Sequence, residues 1–320
     1  MAAASIDYIL EGTDFKNLGE KKTGKVRDVY LQEDKVILIS TDRHSSFDRI
    51  IAHVPHKGEV LNRISAFWFD QTKDIIPNHL LAIPDPNVAL VERCKPLPVE
   101  VVVRGYITGV TDTSLWVLYQ KGQRDFGNFT LPDNMTKNQK LERPVLTPTT
   151  KSDTHDRPIT PKEIRDEGLV EENIWNTIAA KAVALFERGQ EIAAKNGLIL
   201  VDTKYEFGID TKGNVLLIDE VHTPDSSRYW QKDTYEQRIG VGEEPEFFDK
   251  EFLRLWFIEH CNPYTDALLP PAPPELIAEL SRRYVQIFEQ ITGTSFGADS
   301  KERKVIARIE DNLKKYYVSS

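Results

Sequence analysis

Hydrophobic and polar residues alternate along several short stretches of the chain, which is the pattern of half-buried β-strands. The clearest stretches lie between residues 25 and 54, at 99 to 104, at 198 to 209 and at 215 to 221. The first predicts a hairpin with Gly24 at its mouth. The second is almost continuously β-branched, so it predicts a central strand covered on both faces. Antiparallel β-structure is therefore expected in more than one place.

Apolar residues recur at helical spacing in four longer stretches, at residues 59 to 72, 171 to 195, 249 to 260 and 274 to 291. The end of the chain predicts a further helix, which is charged and amphipathic. Thr160, Pro161 and Glu163 carry the signature of a capping box, which predicts a helix that begins at Pro161. Residues 133 to 160 are polar, dotted with proline and without period, so they are interpreted as a long working loop.

The composition narrows the range of partners. The 320-residue chain has a formal net charge of -9, whereas nucleic acids and anionic bilayers reward a basic face. We therefore expect no nucleic acid and no membrane as partners, and no apolar run approaches the length of a membrane span. Cys94 and Cys261 match no disulfide or zinc spacing. Together with the lack of a recognisable targeting segment, this predicts a cytoplasmic protein.

Acidic side chains gather on two neighbouring predicted strands. Asp202, Lys204 and Glu206 share one face of the first strand, because side chains alternate with period two. If the turn is centred between residues 212 and 213, antiparallel pairing places Glu206 directly opposite Asp219. Facing carboxylates need a cation between them, and their hard oxygens suit Mg²⁺. Two alternatives stay open: a salt-bridged exposed sheet face, and a three-residue turn that slips the pairing.

The glycine hairpin carries basic residues. Residues 19 to 25 fit the start of a P-loop pattern, but Val26 stands where that motif has Ser or Thr, and a strand follows instead of a helix. We reject a P-loop for these reasons. Lys25 and Arg27 alternate out of the hairpin, which is similar to the phosphate-covering hairpin of kinases. An ordinary surface hairpin is the open alternative.

Three charged residues lie on or near the predicted strands. Glu100 and Arg104 share one face of the predicted central strand, where each needs either a ligand or the other as a structural ion-pair partner. Arg228 follows the second acidic strand closely, so it can fold back over the acidic patch as a forked phosphate donor.

The long loop holds three residues with possible roles in binding. Lys151, His155 and Asp156 could supply an anion contact and a further metal oxygen. Simple solvation of these loop side chains is the alternative.

These segments together closely resemble the SAICAR synthetase family of purine biosynthesis. The matching motifs are GKVRDVY at residues 24 to 30, STDRHSSFD at 40 to 48, EVVVRGYITG at 100 to 109, LTPTTK at 146 to 151, HD at 155 to 156, LVDTKYEFG at 200 to 208 and LIDEVHTPDSSRYW at 217 to 230. The resemblance implies an α+β fold with antiparallel sheets. It also implies two lobes, as in kinases and ATP-grasp enzymes, with ATP in a cleft between them.

The resemblance further implies an ATP-dependent ligase that joins carboxyaminoimidazole ribotide to L-aspartate through an acyl-phosphate intermediate. ATP and Mg²⁺ are then the cofactors. The implied ATP-binding residues are Gly24, Lys25, Val26, Arg27, Glu206 and Asp219. The implied ribotide-binding residues are Glu100, Arg104, Lys151, Asp156, Asp202 and Arg228. One metal would be held by Glu206 and Asp219 and a second by Glu100, Asp156 and Asp202, and the implied catalytic residues are Lys204, Asp202 and Lys25.

One departure from the family pattern concerns the ribotide phosphate. A serine usually follows Gly109 and contacts this phosphate, and here Val110 stands instead. Thr111 or Ser114 could supply the hydroxyl, or phosphate binding could be weaker.

The expected organisation has three parts: a smaller lobe at residues 1–104 with the glycine hairpin, a larger catalytic lobe at 105–297 with the acidic strands, and a helical tail at 298–320. The main alternative function is a kinase-like small-molecule phosphotransferase. A non-catalytic nucleotide-binding or scaffold protein is the second. The catalytic signatures of protein kinases are absent from the sequence, which counts against a protein kinase.

Overall fold

The computed structural model describes residues 9–47, 49–111, 113–151, 156–248, 251–297 and 304–318, so His155 lies outside the described residues. The strands are β1 (Glu20–Thr23), β2 (Arg27–Leu31), β3 (Lys35–Ser40), β4 (Arg43–Ser46), β5 (Arg49–His53), β6 (Leu80–Asp85), β7 (Val88–Glu92), β8 (Lys95–Tyr106), β9 (Lys140–Leu146), β10 (Thr149–Thr150), β11 (Leu198–Ile209), β12 (Val215–Ile218) and β13 (Ser227–Gln231). The helices are α1 (Lys57–Thr72), α2 (Leu115–Gln120), α3 (Pro161–Asp166), α4 (Glu172–Lys195), α5 (Lys232–Gly240), α6 (Glu251–His260), α7 (Pro274–Thr292) and α8 (Val305–Leu313).

The backbone divides into two compact units. The first comprises the described residues of 1–69, 79–93 and 248–320, and the second comprises those of 70–78 and 94–247. This division differs from the predicted organisation. Strand β8 lies wholly in the second unit, although the predicted lobe boundary cuts through it, and helix α8 belongs to the first unit instead of forming a separate tail.

The first unit is built on an antiparallel sheet with strand order β1-β2-β3-β7-β6. Strands β2 and β3 form the predicted hairpin, and β1 adds a second hairpin at the outer edge, so Gly24 lies in the connection between β1 and β2. A strand and not a helix follows Lys25, which confirms that this segment is not a P-loop. Strands β4 and β5 pair separately as a two-stranded ladder.

The C-terminal helix α8 belongs to the core of the first unit. Val305, Ile309 and Leu313 are spaced four apart, so they form one buried stripe along the helix. This stripe packs in the same hydrophobic cluster as Tyr30 of β2 and Ile37 of β3. Each aliphatic side chain buried in this way stabilises the fold by roughly 1.5 to 3 kcal/mol. The predicted helix is present, and it packs as a structural element.

The second unit is built on a six-stranded sheet in which β8 and β11 are the central strands. Val101 and Val103 of β8 are completely buried. Gly105 lies on the same side, where an added Cβ would come within 3.1 Å of the Phe186 ring of α4. The other face of β8 carries half-buried residues such as Glu100. The predicted cover over both faces is therefore nearly complete, since the charged side chains of Glu100 and Arg104 are only 12% and 16% exposed.

The polar stretch from residue 133 to 160 contains two strands and is not a single loop. Strand β9 pairs with β8 at Val103 and Arg104, and β10 pairs with it at Glu100. Short peripheral strands need no apolar alternation, so their polar composition hid them from a search for periodicity. The capping box at the end of the stretch is confirmed, since the side chains and backbone N–H groups of Thr160 and Glu163 bond reciprocally.

Helices α1, α4, α6 and α7 begin and end within two residues of the ranges predicted from apolar spacing. Together with the antiparallel sheets, they confirm the α+β fold class. Within the described part of the chain, no helix has the length and apolar character that crossing a membrane requires.

A buried histidine joins the sheet of the second unit to helix α4. Nε2 of His222 is hydrogen-bonded to the hydroxyl of Tyr205, and its backbone carbonyl accepts from the hydroxyl of Tyr229 at 2.7 Å. Gly189 of α4 allows this close approach, because a Cβ there would lie 2.4 Å from Cε1 of His222. Burial lowers the pKa of His222 to about 3, so the ring is neutral in the folded protein at neutral pH.

We expect His222 to make the fold sensitive to acid. Its folded-state pKa is depressed, so its contribution is complete above the unfolded pKa near 6.5 and is lost as pH falls towards 3. As the pH falls from 7 to 4.5, this single group should lower the free energy of unfolding by about 2 to 3 kcal/mol. Urea unfolding of the wild type and of His222→Gln at both pH values measures the difference in slope.

The exposed His260 on α6 provides the matched control, since His260→Gln should leave the pH slope of the wild type unchanged. An equal pH slope in the wild type and in His222→Gln would contradict the assignment.

Candidate active site

One face of the β8–β11 pair carries a row of charged side chains. In the antiparallel register Arg104 lies opposite Asp202, and Glu100 lies opposite Glu206. Lys204 stands between the two acidic residues of β11, on the same side of the strand because side chains alternate. We refer to these five residues as the charged face. Along the strands it runs from an arginine–aspartate pair, past a lysine, to two opposed glutamates.

The two opposed glutamates are bridged by lysine. Nζ of Lys204 donates to Oε1 of Glu100 at 2.7 Å and to Oε1 of Glu206 at 2.8 Å. Lys151 donates to the second oxygen of Glu206, and the hydroxyl of Thr149 donates to Oε2 of Glu100 at 3.2 Å. Directly opposed like charges destabilise a sheet. The two lysines therefore make this register of the sheet possible.

Asp219 and Asp156 lie on other segments of the chain, and their charges shift the pKa values of Lys204 and Glu100 in this cluster. Burial alone would lower the pKa of Lys204, but the charges of Glu206, Asp219 and Glu100 outweigh it and raise this pKa above its usual range. Burial raises the pKa of Glu100; the charge of Lys204 opposes this shift, and the charges of Glu206 and Asp156 add to it. This end of the charged face is thus rich in negative charge.

The other end of the charged face is an aspartate held by two arginines. Arg104 donates from Nη1 to Oδ2 of Asp202 at 3.1 Å, and Arg228 donates from Nε to both carboxylate oxygens at 3.0 Å. Nε of Arg104 also donates to the hydroxyl of Thr147 at 2.8 Å. Burial would raise the pKa of Asp202, but the charges and hydrogen bonds of the two arginines hold it below its usual range. Asp202 is therefore an ionised anchor for both guanidinium groups.

The predicted pairing of Glu206 with Asp219 is wrong by one residue. Glu206 lies opposite Ile218, and β12 ends there, so Asp219 follows the strand with a positive φ of 65°. The connection between β11 and β12 has five residues, in which Oδ1 of Asp210 accepts from the backbone N–H groups of Lys212 and Asn214 at 2.8 and 2.7 Å. A connection with an odd number of residues shifts the register by one, and the three-residue turn left open from the sequence would have shifted it in the same way.

A cavity of about 360 Å³ lies beside the charged face within the second unit. Its polar wall includes Arg104, Thr147, Thr149 and Asp156. The remaining wall is mainly apolar and includes Leu115, Leu118, Phe126, Phe129, Leu146 and Ile159. A concave apolar site with a few converging polar groups is the usual form of a small-molecule site.

The segment around Gly109 lies close to Arg228. Gly109 has a φ of 107°, and a Cβ there would lie 2.4 Å from Cβ of Ser114 and 3.3 Å from Nη1 of Arg228. Ser114 is buried and donates from Oγ to the carbonyl of Thr111 at 2.7 Å. Val110 is 61% exposed. The Ser114 side chain and the Arg228 guanidinium therefore both lie close to Gly109.

The glycine hairpin, in the first unit, is held by its own neighbours. Arg43 donates from Nη2 to the carbonyl of Gly24 at 3.0 Å and to the buried carboxylate of Asp28 at 2.8 Å. Thr41 donates to the carbonyl of Val26 from its backbone N–H at 3.0 Å and from Oγ1 at 2.6 Å. Lys25 lies between these two anchored residues and is exposed. The hairpin thus has fixed backbone carbonyls around an exposed lysine.

Comparison with known proteins identifies the family. The model of the family described as SAICAR synthetase matches residues 20–271. The chain belongs to the SAICAR synthetase family. This confirms the resemblance and the expected role as an ATP-dependent ligase of purine biosynthesis, and it does not favour the phosphotransferase alternative.

Relatives with this name are found in bacteria and plants. A Legionella pneumophila (strain Paris) protein named phosphoribosylaminoimidazole-succinocarboxamide synthase is 55% identical over 93% of this chain and 96% of its own length. An Arabidopsis thaliana protein, named as the chloroplastic form, is 52% identical over 90% of this chain and 70% of its own length.

Solved structures of the SAICAR synthetase family share the fold. The Saccharomyces cerevisiae SAICAR synthase complexed with SAICAR has a TM-score of 0.78 and 30% identity, and the match covers 90% of this chain and 99% of that one. A SAICAR synthetase in complex with ADP has a TM-score of 0.65 and 25% identity, and the match covers 87% of this chain and 100% of that one.

The acidic residues fit the Mg²⁺ that this family's ATP chemistry implies. Among the residues that the structure describes, no three acidic, histidine or cysteine side chains form a metal site by themselves. Of the predicted set of Glu100, Asp156 and Asp202, Asp202 accepts hydrogen bonds from the two arginines, and the set as a metal site stays a prediction. Glu100 and Glu206 remain as opposed hard-oxygen donors. Mg²⁺ typically takes one or two carboxylates and completes its coordination with water and substrate phosphates, so this donor set suits it.

The structure assigns contacts to residues that the sequence analysis did not single out. Thr147 and Thr149 bind Arg104 and Glu100, respectively. Their only sequence signal is their position in the LTPTTK motif, which carried the family resemblance without a role for either threonine. Thr41, which supports the hairpin, had a similar signal in the STDRHSSFD motif. These roles depend on contacts with distant strands, so spacing alone could not reveal them.

We expect Lys204→Met to destabilise the second unit through the glutamates. Removing one partner of a buried ion pair leaves uncompensated charge, so the free energy of unfolding should fall by about 2 to 4 kcal/mol. Adding Glu206→Gln to this variant should recover part of the loss, because it removes one of the two opposed charges. Denaturant unfolding of both variants measures the recovery.

Lys162→Met is the matched control, since Lys162 forms an exposed pair with Asp166 on α3 and should change stability by less than about 0.5 kcal/mol. Failure of Glu206→Gln to recover any stability would argue against charge repulsion as the cause.

Proposed function

We propose that the chain joins carboxyaminoimidazole ribotide to L-aspartate as an amide, with ATP cleaved to ADP and phosphate, in de novo purine biosynthesis. One observation carries the proposal in this member of the SAICAR synthetase family: the charged face. It places two arginines, suited to a phosphate, at one end and carboxylates suited to magnesium at the other, with Lys204 between them. A phosphorylated substrate needs the arginine end, and an ATP-dependent step needs the carboxylate end.

The chemistry proceeds in two displacements. A carboxylate oxygen of the ribotide attacks the γ-phosphorus of ATP, and the bond to ADP breaks. The amine of L-aspartate then attacks the acyl carbon, loses a proton, and displaces phosphate to leave the amide. Both steps build charge on oxygen atoms that a fixed cation stabilises. Lys204 is the group for this role, because its raised pKa keeps it protonated.

Residues at the two ends of the charged face take the remaining roles in the second unit. Arg104 and Arg228 bind the ribotide phosphate, and Asp202 orients both guanidinium groups. Lys151 adds positive charge beside Glu206. We therefore assign Asp202 to positioning these arginines instead of to a metal.

The acidic residues are the proposed metal ligands. Glu206 and Asp219 would hold one Mg²⁺, and Glu100 and Asp156 a second. When bound, Mg²⁺ would neutralise charge on the ATP phosphates and on the ribotide carboxylate.

The glycine hairpin is the proposed phosphate clamp. Gly24, Lys25, Val26 and Arg27 contact the ATP phosphates, with the charge supplied by Lys25 and Arg27. The anchored carbonyls of Gly24 and Val26 support this role, because a preorganised backbone holds the lysine where it is needed.

The cytoplasm is the proposed location of this reaction. Cys94 and Cys261 are free thiols, which is usual for a protein of a reducing compartment. Two plant relatives are named as chloroplastic forms, so compartments differ within the family.

ADP release should depend on both acceptor substrates. With ATP and Mg²⁺ present, we expect ADP to form together with the amide product only when carboxyaminoimidazole ribotide and L-aspartate are both supplied, because the acyl phosphate is consumed by the amine. A coupled ADP assay with each substrate omitted in turn measures this. ATP turnover with a simple alcohol acceptor would overturn the ligase proposal and favour a phosphotransferase.

Glu206→Gln and Asp219→Asn should each lower kcat by at least about 100-fold, because they remove metal ligands and the charge stabilisation they support. Thermal unfolding and circular dichroism should show a retained fold in both variants.

Glu191→Gln serves as the control, since Glu191 pairs with Lys195 on the exposed side of α4 and should keep full activity. Normal turnover in both acidic variants would refute the ligand assignment.

A further inference from the structure

We propose that the C-terminal helix α8 positions the glycine hairpin, and that it acts through Arg308 and Asn87. The inference rests on the proposed function, in which the hairpin binds the phosphates of ATP. It adds a role for a segment outside the matched family region, since α8 begins at Val305 and the match ends at residue 271.

The first step is the ion pair between Arg308 of α8 and Asp85 of β6 in the first unit. Arg308 donates from Nε and Nη2 to the two carboxylate oxygens of Asp85 at 3.0 and 3.1 Å. The Asp85 side chain is 0% exposed, so this forked pair is its charge compensation. Asn312, one turn further along α8, donates to the same carboxylate at 2.8 Å. The polar edge of α8 is therefore fixed to the end of β6.

The second step runs from Arg308 to the end of β3. Nη2 of Arg308 also donates to Oδ1 of Asn87 at 2.7 Å. This contact orients the amide so that its Nδ2 donates to the carbonyl of Ser40 at 3.1 Å. The backbone of the same two residues is bonded as well, since the N–H of Ser40 donates to the carbonyl of Asn87 at 2.9 Å. Asn87 is almost completely buried, so its amide has little freedom to take another orientation.

The third step runs from the end of β3 to the hairpin. Ser40 is the register partner of Arg27 on β2. The next residue, Thr41, donates twice to the carbonyl of Val26, from its backbone N–H and from Oγ1. The position of Ser40 and Thr41 thus sets the backbone that carries the basic side chains of the hairpin. Two side-chain hydrogen bonds link Arg308 to Ser40 through Asn87. One side-chain hydrogen bond links Thr41 to Val26 of the hairpin.

This arrangement predicts a selective effect on nucleotide binding. If the chain of contacts is loosened, the hairpin keeps its residues but loses its fixed geometry, so ATP should bind more weakly. The ribotide should bind as before, because its proposed residues lie in the second unit. A purely structural role for α8 would instead lower the amount of folded enzyme without changing any KM.

Asn87→Ala is the main test, because it removes the side-chain hydrogen bond to Ser40 and leaves the pair of Arg308 and Asp85 intact. We expect the KM for ATP to rise by about three- to tenfold, with the KM for the ribotide within about twofold of wild type. The Kd of ADP with Mg²⁺, measured by titration calorimetry, should rise by the same factor. Arg308→Lys should give a smaller effect, because it keeps the charge and loses the fork.

A second variant keeps the test informative if Asn87→Ala does not fold. Thr41→Val removes the Oγ1 donor to Val26 while leaving α8 untouched, and it should also raise the KM for ATP. When Thr41→Val and Asn87→Ala are combined, the KM for ATP should rise by less than the product of the two single-variant factors. The reason is that both substitutions act on one chain of contacts. Fully multiplicative effects would contradict a shared path.

The controls separate the inference from the proposed function. Arg282→Ala removes an exposed arginine that pairs with Glu279 on α7, and it should leave the KM for ATP unchanged. If Lys25→Ala raises the KM for ATP while Asn87→Ala, Thr41→Val and Arg308→Lys do not, the role of α8 is refuted and the hairpin assignment stands. If Lys25→Ala also leaves this KM unchanged, the proposed function of the hairpin fails first.

Discussion

The second unit depends on one electrostatic constraint: two glutamates face each other across the central strands, and a lysine bridges them. Glu100 and Glu206 occupy directly opposed positions of an antiparallel pair, where like charges repel most strongly. Lys204 makes the arrangement possible because it donates to both. An arrangement optimised only for stability would not oppose two acids in a half-buried sheet. The proposed contacts of these carboxylates with a cation and with phosphates would account for this cost.

The same strands separate the chemistry from the core. Side chains of one parity, such as Val101 and Val103, are completely buried on the side of the sheet where α4 packs. Side chains of the other parity form the charged face. The sheet thereby holds its polar groups on rigid strands instead of on loops, which keeps their relative positions well defined. Asp202 extends this principle, since it orients two arginines that approach it from different strands.

The first unit applies a related principle to the glycine hairpin. Side chains from outside the hairpin bind its backbone carbonyls. Arg43 and Thr41 hold the carbonyls of Gly24 and Val26, and the buried pair of Asp28 with Arg43 stabilises this support. The C-terminal helix adds a further layer behind the end of β3. Residues remote in sequence thus determine how the basic residues of the hairpin are presented.

The sequence by itself determined the elements and the identity of most candidate residues. Helical spacing located α1, α4, α6 and α7, and the alternation at Asp202, Lys204 and Glu206 correctly placed these three side chains on one face. These features depend on neighbours in the chain, so local pattern is sufficient to predict them.

Only the tertiary structure decided how these residues are paired. Glu206 faces Glu100 and not Asp219, because a five-residue connection shifts the β11–β12 register and because β8, about a hundred positions earlier, is the other partner. The polar strands β9 and β10 and the core position of α8 were likewise set by distant packing. Pairing across a sheet depends on turn length and on surfaces that meet only after folding, and no local pattern encodes either.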